Sequence, residues 1–441
     1  MVDNSKNSPV IYKCYVALLW LITPFIYIFL FIRKLQGKEH KKRSQERFGL
    51  TDHSVIEQNI IWCHAASVGE YNALKILLEK WAETYPNLKF LVTTITTTSA
   101  QIAQKDIEKG APWLHQFVPV EHPIFIKRFL AFWQPKLFIT LESEIWPYTI
   151  RELSKQNTPC LLLNGRMSKT SFRNWTKIKK TAQWVFSHFD LICVQNKSYE
   201  TAIKKLTSDH SKITVTGNIK AEAKPLIINK GLVKAISPSL ANRKIISLIS
   251  SHTGEEILFL NIYKELKSLF PQILFIICPR HAVRGKEIKD LADSLNLTSC
   301  LRSETTNPTD DCDIFIWDSM GELGTVYTLL NFAFIGGSYI PHGGQNPIEA
   351  LNCDCAPIHG EYIHNFKDIY NQLDEEEGAL LCKNEDIKKI MLSLLNHEIS
   401  DDSIKKIVNN GKKVILNCKG ALNSTSAASE LYLKQINKGE I

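Results

Sequence analysis

The stretch DSMGELGTVYTLLNFAFIGGSYIPHGGQNPIE, Asp318 to Glu349, constrains the fold more than any other part of the chain. It reads as two strand–turn–helix units in succession. Ile314–Trp317 is a short apolar strand, and Met320-Gly321-Glu322 opens a helix carrying Leu323, Val326, Leu329 and Leu330. Phe332–Ile335 is a second strand, followed by a loop holding Gly336, Gly337, Gly343 and Gly344. Asn346-Pro347-Ile348-Glu349 then supplies an N-cap, a proline at N1 and a glutamate at N3. Two helix N-termini at the carboxyl ends of neighbouring strands are where α/β sheets bind phosphates and nucleotides. A well-capped helix after a flexible loop is the plainer reading of the same residues.

The same rhythm runs through the rest of the chain. Apolar strands are expected at Asn59–His64, Lys89–Thr94, Leu137–Leu141, Cys160–Asn164, Leu191–Gln195, Ile213–Thr216, Lys244–Ile249 and Ile273–Cys278, separated by helical segments. Strands alternating with helices imply parallel sheets covered on both faces. The expected fold is α/β: two Rossmann-like domains facing a cleft, at 36–228 and 229–441, with the last helix able to pack back on the first. Pro225 to Arg243, weak in periodicity, reads as the linker. Neither half shows GxGxxG after its first strand, which disfavours a dinucleotide redox enzyme. At 441 residues there is chain enough for substantial cores. The eleven cysteines form no CxxC framework, as suits reduced thiols.

Residues 1–35 form a separate N-terminal element. Cys14 to Ile32 is a nineteen-residue uncharged apolar run, just long enough to cross a bilayer as one helix. Pro24 sits mid-run and would kink it, so a half-embedded anchor is the alternative. Arg33, Lys34, Lys38, Lys41, Lys42, Arg43 and Arg47 follow, against Glu39 and Glu46; only Lys6 and Lys13, against Asp3, precede it. This asymmetry places the body on the cytoplasmic side and the basic collar against anionic lipid headgroups.

Candidate chemistry gathers at expected strand ends. Glu70 falls in the first turn of a helix after His64-Ala65-Ala66-Ser67-Val68-Gly69; it is either a dipole-favoured carboxylate or one offered to a substrate. Glu142 and Glu144 follow a strand, as do Asn164-Gly165-Arg166 and Lys220. Pro279-Arg280 ends another strand, where a guanidinium suits phosphate or forms a surface ion pair. Asp311-Cys312-Asp313 precedes its strand and His115 and His122 lack ligand spacing, so no metal is expected.

Taken together, HAASVGE (His64–Glu70), LESEIWP (Leu141–Pro147), NGRMS (Asn164–Ser168), TGNIK (Thr216–Lys220), CPRH (Cys278–His281), MGEL (Met320–Leu323) and GGQNPIEA (Gly343–Ala350) resemble, in order, the 3-deoxy-D-manno-octulosonic acid (Kdo) transferases of bacterial lipopolysaccharide synthesis. The resemblance covers nearly the whole chain. It implies a metal-free, cofactor-free, inverting GT-B glycosyltransferase that moves Kdo from CMP-Kdo to the lipid A precursor (lipid IVA) at the cytoplasmic face of the inner membrane. It further implies Glu70 as general base, with Glu142 and Lys220 stabilising the transition state and Glu144 competing with Glu142. Pro279, Arg280, Met320, Gly321, Glu322, Asn346, Pro347, Ile348 and Glu349 would bind CMP. Where the family usually shows proline, any residue, then aspartate, this chain has Pro119-Val120-Glu121. A GT-B enzyme using another nucleotide sugar and lipid acceptor is the alternative, and a non-catalytic membrane scaffold the third.

Overall fold

A computed structural model describes residues 8–40, 42–53, 59–222 and 226–440. Lys6, Asp3 and Lys41 of the expected charge asymmetry lie outside the described residues. The chain divides into two compact units: Met1–Ala223 with Cys418–Ile441, and Lys224–Asn417.

In the first unit seven strands form one parallel sheet: β1 (Ile60–His64), β2 (Lys89–Thr94), β3 (Trp113–Phe117), β4 (Leu137–Leu141), β5 (Cys160–Gly165), β6 (Leu191–Val194) and β7 (Ile213–Val215). Their order is β3-β2-β1-β4-β5-β6-β7. Alternate residues of β1 serve two cores. Ile60 and Trp62 pack with Phe138 and Phe129, while Ile61 and Cys63 pack with Tyr71, Leu74 and Trp81. Both faces of the sheet are thus covered, so its strands read as unbroken apolar runs. The final helix, Ala421–Asn437, sends Leu433 and Ile436 into the second of these cores.

The second unit repeats the plan with β8 (Lys244–Ser251), β9 (Ile273–Pro279), β10 (Ser299–Leu301), β11 (Ile314–Ile316), β12 (Phe332–Ile335), β13 (Ala356–His359) and β14 (Leu380–Leu381), in the order β10-β11-β9-β8-β12-β13-β14. In each sheet the first strand lies between strands reached in opposite directions: β2 and β4 flank β1, and β9 and β12 flank β8. Such switch points leave a crevice beyond the strands' carboxyl ends.

Three expectations are corrected. The apolar N-terminal run is not one helix but two, Val10–Leu21 and Thr23–Leu35, bent by 57°. Pro24 is the cause: it supplies no amide hydrogen and its ring clashes with the carbonyl four residues back. The Thr23 hydroxyl donates to the Trp20 carbonyl at 2.6 Å across the break. Among the described residues no single helix is long and apolar enough to cross a membrane, although the bent pair together meets that test. Second, the expected linker holds a helix, Lys230–Leu240, because Asn229 caps it and Ile236 and Leu240 reach an apolar core. Third, Met320-Gly321-Glu322 precedes its helix, which spans only Leu323–Thr328, and the helix after Asn346 spans only Pro347–Leu351. Dipoles of one or two turns are weak, so free amide donors matter more there than the macrodipole.

Candidate active site

In the first unit the switch point gathers His64–Glu70 after β1, Glu142 after β4, Arg166 after β5 and Lys220 after β7. Ser67 caps the Val68–Thr84 helix and holds Glu70 from both sides. The Glu70 amide donates to Ser67 Oγ at 3.3 Å, and Ser67 Oγ donates to Glu70 Oε1 at 3.0 Å. The Ala66 amide donates to Glu70 Oε2 at 2.8 Å. The spacing Ser-x-x-Glu is a capping box legible in the sequence. A helix start with two donors should make this carboxyl more acidic, yet Glu70 is only 7% exposed. Burial, seconded by the charge of Glu142, outweighs those donors and raises its pKa to about 7.

Glu142 is 1% exposed and sits at φ +56°, a conformation uncommon for a residue of this kind. Its carboxylate faces two cations, Lys220 Nζ at 2.5 Å and Arg166 Nε at 2.6 Å. Asn164, also left-handed at φ +52°, accepts the Ile219 amide on its side-chain oxygen at 3.0 Å and so fixes the turn that carries Lys220. The Lys220 ammonium also lies over Gly69: a methyl added there would stand 3.4 Å from Nζ. Glu70, Glu142 and Lys220 are therefore neighbours. Arg166, Asn164 and Ser67 complete the group; in the sequence the first two were marked by position after a strand and all three lie within the motifs quoted above, with no role attached to any of them.

Glu144 points elsewhere. Its Oε2 accepts from Trp146 Nε1 at 2.9 Å and lies 3.9 Å from His64 Nε2. Burial works to raise its pKa, but the His64 and Trp146 contacts prevail and lower it. Glu121 proves structural. It accepts the Tyr148 and Thr149 amides at 2.9 and 3.1 Å, capping the Pro147–Lys155 helix, and takes the Tyr15 hydroxyl from the bent helix pair. A longer acid than aspartate has the reach for both.

In the second unit the expected ligand residues surround β8, β9 and β12. Arg280 is exposed and among the described residues forms no ion pair; its charge acts on the half-buried Glu349, whose pKa burial raises and Arg280 lowers. Asn346 caps its short helix by accepting the Ile348 amide at 3.1 Å, with Pro347 at N1. Glu322 accepts from Trp317 Nε1 at 2.8 Å and pairs with Arg302 at 3.1 Å. Gly321, at φ +82°, turns the chain so that Met320 is 83% exposed. Pro279 is the last residue of β9. Glu255, which sequence reasoning missed, organises this edge. Fully buried, it accepts the amides of Gly337, His252 and Tyr339 at 2.8, 2.9 and 3.1 Å. Asp313 is held by Lys267 at 2.5 Å and by the Thr298 amide at 3.0 Å.

Part of the basic collar is likewise consumed internally. Arg33 and Arg47 both pair with buried Glu39, and Arg43 pairs with Glu46, leaving Lys34, Lys38 and Lys42 exposed. A cavity of about 480 Å³ beside them is lined by Tyr27, Ile28, Leu30, Phe31 and Phe48, with Lys34 at its wall.

Residues 42–223 match a family model described as 3-deoxy-D-manno-octulosonic-acid transferase (kdotransferase). The chain is 33% identical to a 3-deoxy-D-manno-octulosonic acid transferase of Rickettsia bellii, with 91% of this chain and 95% of that protein covered. It is 31% identical to the Haemophilus influenzae enzyme of the same name, over 96% and 98%. A glycosyltransferase of known structure from Rickettsia africae shares the fold, with a TM-score of 0.53 at 13% identity, over 87% and 99%.

Proposed function

This chain belongs to the 3-deoxy-D-manno-octulosonic acid (Kdo) transferase family and is a glycosyltransferase, and we propose that it moves Kdo from CMP-Kdo onto the lipid A precursor, lipid IVA, with inversion at the anomeric carbon. The observation that carries the mechanism is Glu70, a buried carboxylate held by Ser67 and Ala66 and tuned to about 7. A base of that strength is about half ionised at neutral pH, the best compromise between availability and basicity. Glu70 takes the proton of the acceptor hydroxyl as its oxygen attacks the anomeric carbon. The bond from that carbon to the CMP phosphate oxygen breaks, and its electron pair leaves with the phosphate.

Lys220 supplies positive charge beside Glu70, and Glu142 with Arg166 fixes where that charge stands. Arg280 and the amides around Gly321 and Asn346 are suited to the departing CMP, and Glu349 to its ribose hydroxyls. These side chains supply the charge without a metal or cofactor. The protein works from the cytoplasmic face of the inner membrane. Its bent helix pair lies in the interface, with Phe25, Phe29, Phe31 and Leu35 each more than half exposed, and Lys34, Lys38 and Lys42 meet anionic headgroups.

The test is the mass of the lipid product after incubation of the detergent-solubilised chain with lipid IVA and freshly generated CMP-Kdo. A gain of one or more Kdo units is expected. No gain from folded protein that still binds CMP would move the reading to a different acceptor.

A further inference from the structure

The second unit holds a group of imidazoles to which no role above is given. Three adjacent strands each end beside one: His252 after β8, His281 after β9 and His342 in the loop after β12. The His252 and His342 rings stack with centroids 3.7 Å apart and planes 31° from parallel, and His281 meets His252 edge-on at 6.4 Å. Gln345 touches His252 Nε2 at 2.9 Å, and a side chain at Gly337 would meet both stacked rings at 3.3 Å. Glu255 fixes the backbone of this loop from beneath.

The charges facing the pair are of one sign. Arg280, Arg284 and His281 bear on His252, and Arg280, His281 and His364 bear on His342. Of the carboxylates close by, Glu255 is spent on three amides, Glu256 on Arg284 and Ser251, and Glu349 bears on Arg280 and not on the two rings. Face-to-face rings also do not converge their lone pairs on a point, so the arrangement suits no metal ion. What it lacks is a negative charge.

We propose that His252, His281 and His342, with Arg280, form a receptor for an oxyanion of the donor, its sugar carboxylate or its phosphate. This rests on the reading that the donor is a CMP-activated sugar acid. In the free protein burial first, and then the neighbouring cations, hold His252 down at about 4, so it is neutral at working pH. An arriving anion reverses that balance, and donor binding takes up a proton.

The experiment uses the full chain and His252→Ala, His342→Ala and His342→Gln variants. It reads the KM for freshly generated CMP-Kdo from pH 6 to 8 and the CMP affinity by calorimetry. Losing a hydrogen bond to a charged group is worth about tenfold or more in affinity. The expected result is a KM raised by about that factor in both alanine variants, partial recovery in His342→Gln, and loss of the wild type's tightening toward pH 6. Unchanged CMP affinity would assign the carboxylate; an equal loss would assign the phosphate. KM and its pH dependence within about twofold of wild type in both alanine variants, with CMP still bound, would overturn the receptor. A wild-type chain that binds no CMP would overturn the donor reading first, and this proposal with it.

Discussion

Glu70 meets opposing demands. Its place in a capping box keeps it oriented, while burial keeps it basic. Because a base acts only when ionised, kcat/KM should fall as pH drops through about 7, an acid limb absent from the residual activity of Glu70→Gln; a pH–rate profile of both proteins checks this. Lys220→Met should lower transfer sharply and also destabilise. It leaves Glu142 buried with, among the described residues, Arg166 as its one remaining cation, for a cost of about 2–3 kcal/mol, less than a fully orphaned charge. Adding Glu142→Gln to Lys220→Met should restore much of the denaturation midpoint and none of the activity. That split separates a charge needed for folding from one needed for chemistry.

Among the elements, the bent helix pair is fastened to the first unit at several points. Tyr15 donates to Glu121, Thr23 Oγ1 meets His122 Nε2 at 2.9 Å, and Tyr12 packs on Trp184 with centroids 4.5 Å apart. Burial raises Glu121 to about 7 against the three donors it accepts from. A raised carboxyl favours the folded state while protonated: the contribution is complete below the unfolded value of about 4.5 and is lost as pH rises through 7. Glu70 acts in the same direction, and the buried His115 with the half-buried His188 and His252, held neutral in the fold, act in the opposite one. The readout is therefore a difference: in thermal unfolding the Tm of Glu121→Gln should rise relative to wild type between pH 5 and 7. The final helix is the other fastening, through Trp81 Nε1 to Ser426 at 3.1 Å and Leu433 in the core. Leu433→Ala should cost about 2–5 kcal/mol in chemical denaturation, as for other fully buried leucines.

For the whole molecule, the path of the chain matters more than any single contact. The second unit is one continuous segment, Lys224–Asn417, whereas the first needs Cys418–Ile441 returned to it. Residues 224–417 expressed alone should melt cooperatively, while 1–223 alone should aggregate because its core side around Trp81 lies open; calorimetry and light scattering distinguish the two. Fully buried strands such as β1, β4 and β9 were legible because a parallel sheet covered on both faces demands unbroken apolar runs. β3 escaped notice because polar His115 and Gln116 interrupt it, and both are buried through partners distant in sequence: Arg43 for one, Trp133 and Leu50 for the other. By itself the sequence determined the alternation of strands and helices, the capping residues and the motifs at strand ends, since these depend on neighbours within a few positions. Tertiary structure alone decided that Glu142 rather than Glu144 faces Lys220, that Arg166 and Asn164 complete the group, that Glu255 shapes the glycine loop, and that burial makes Glu70 a base. Those outcomes depend on strand order and on which charges lose their water, and neither is written in local spacing.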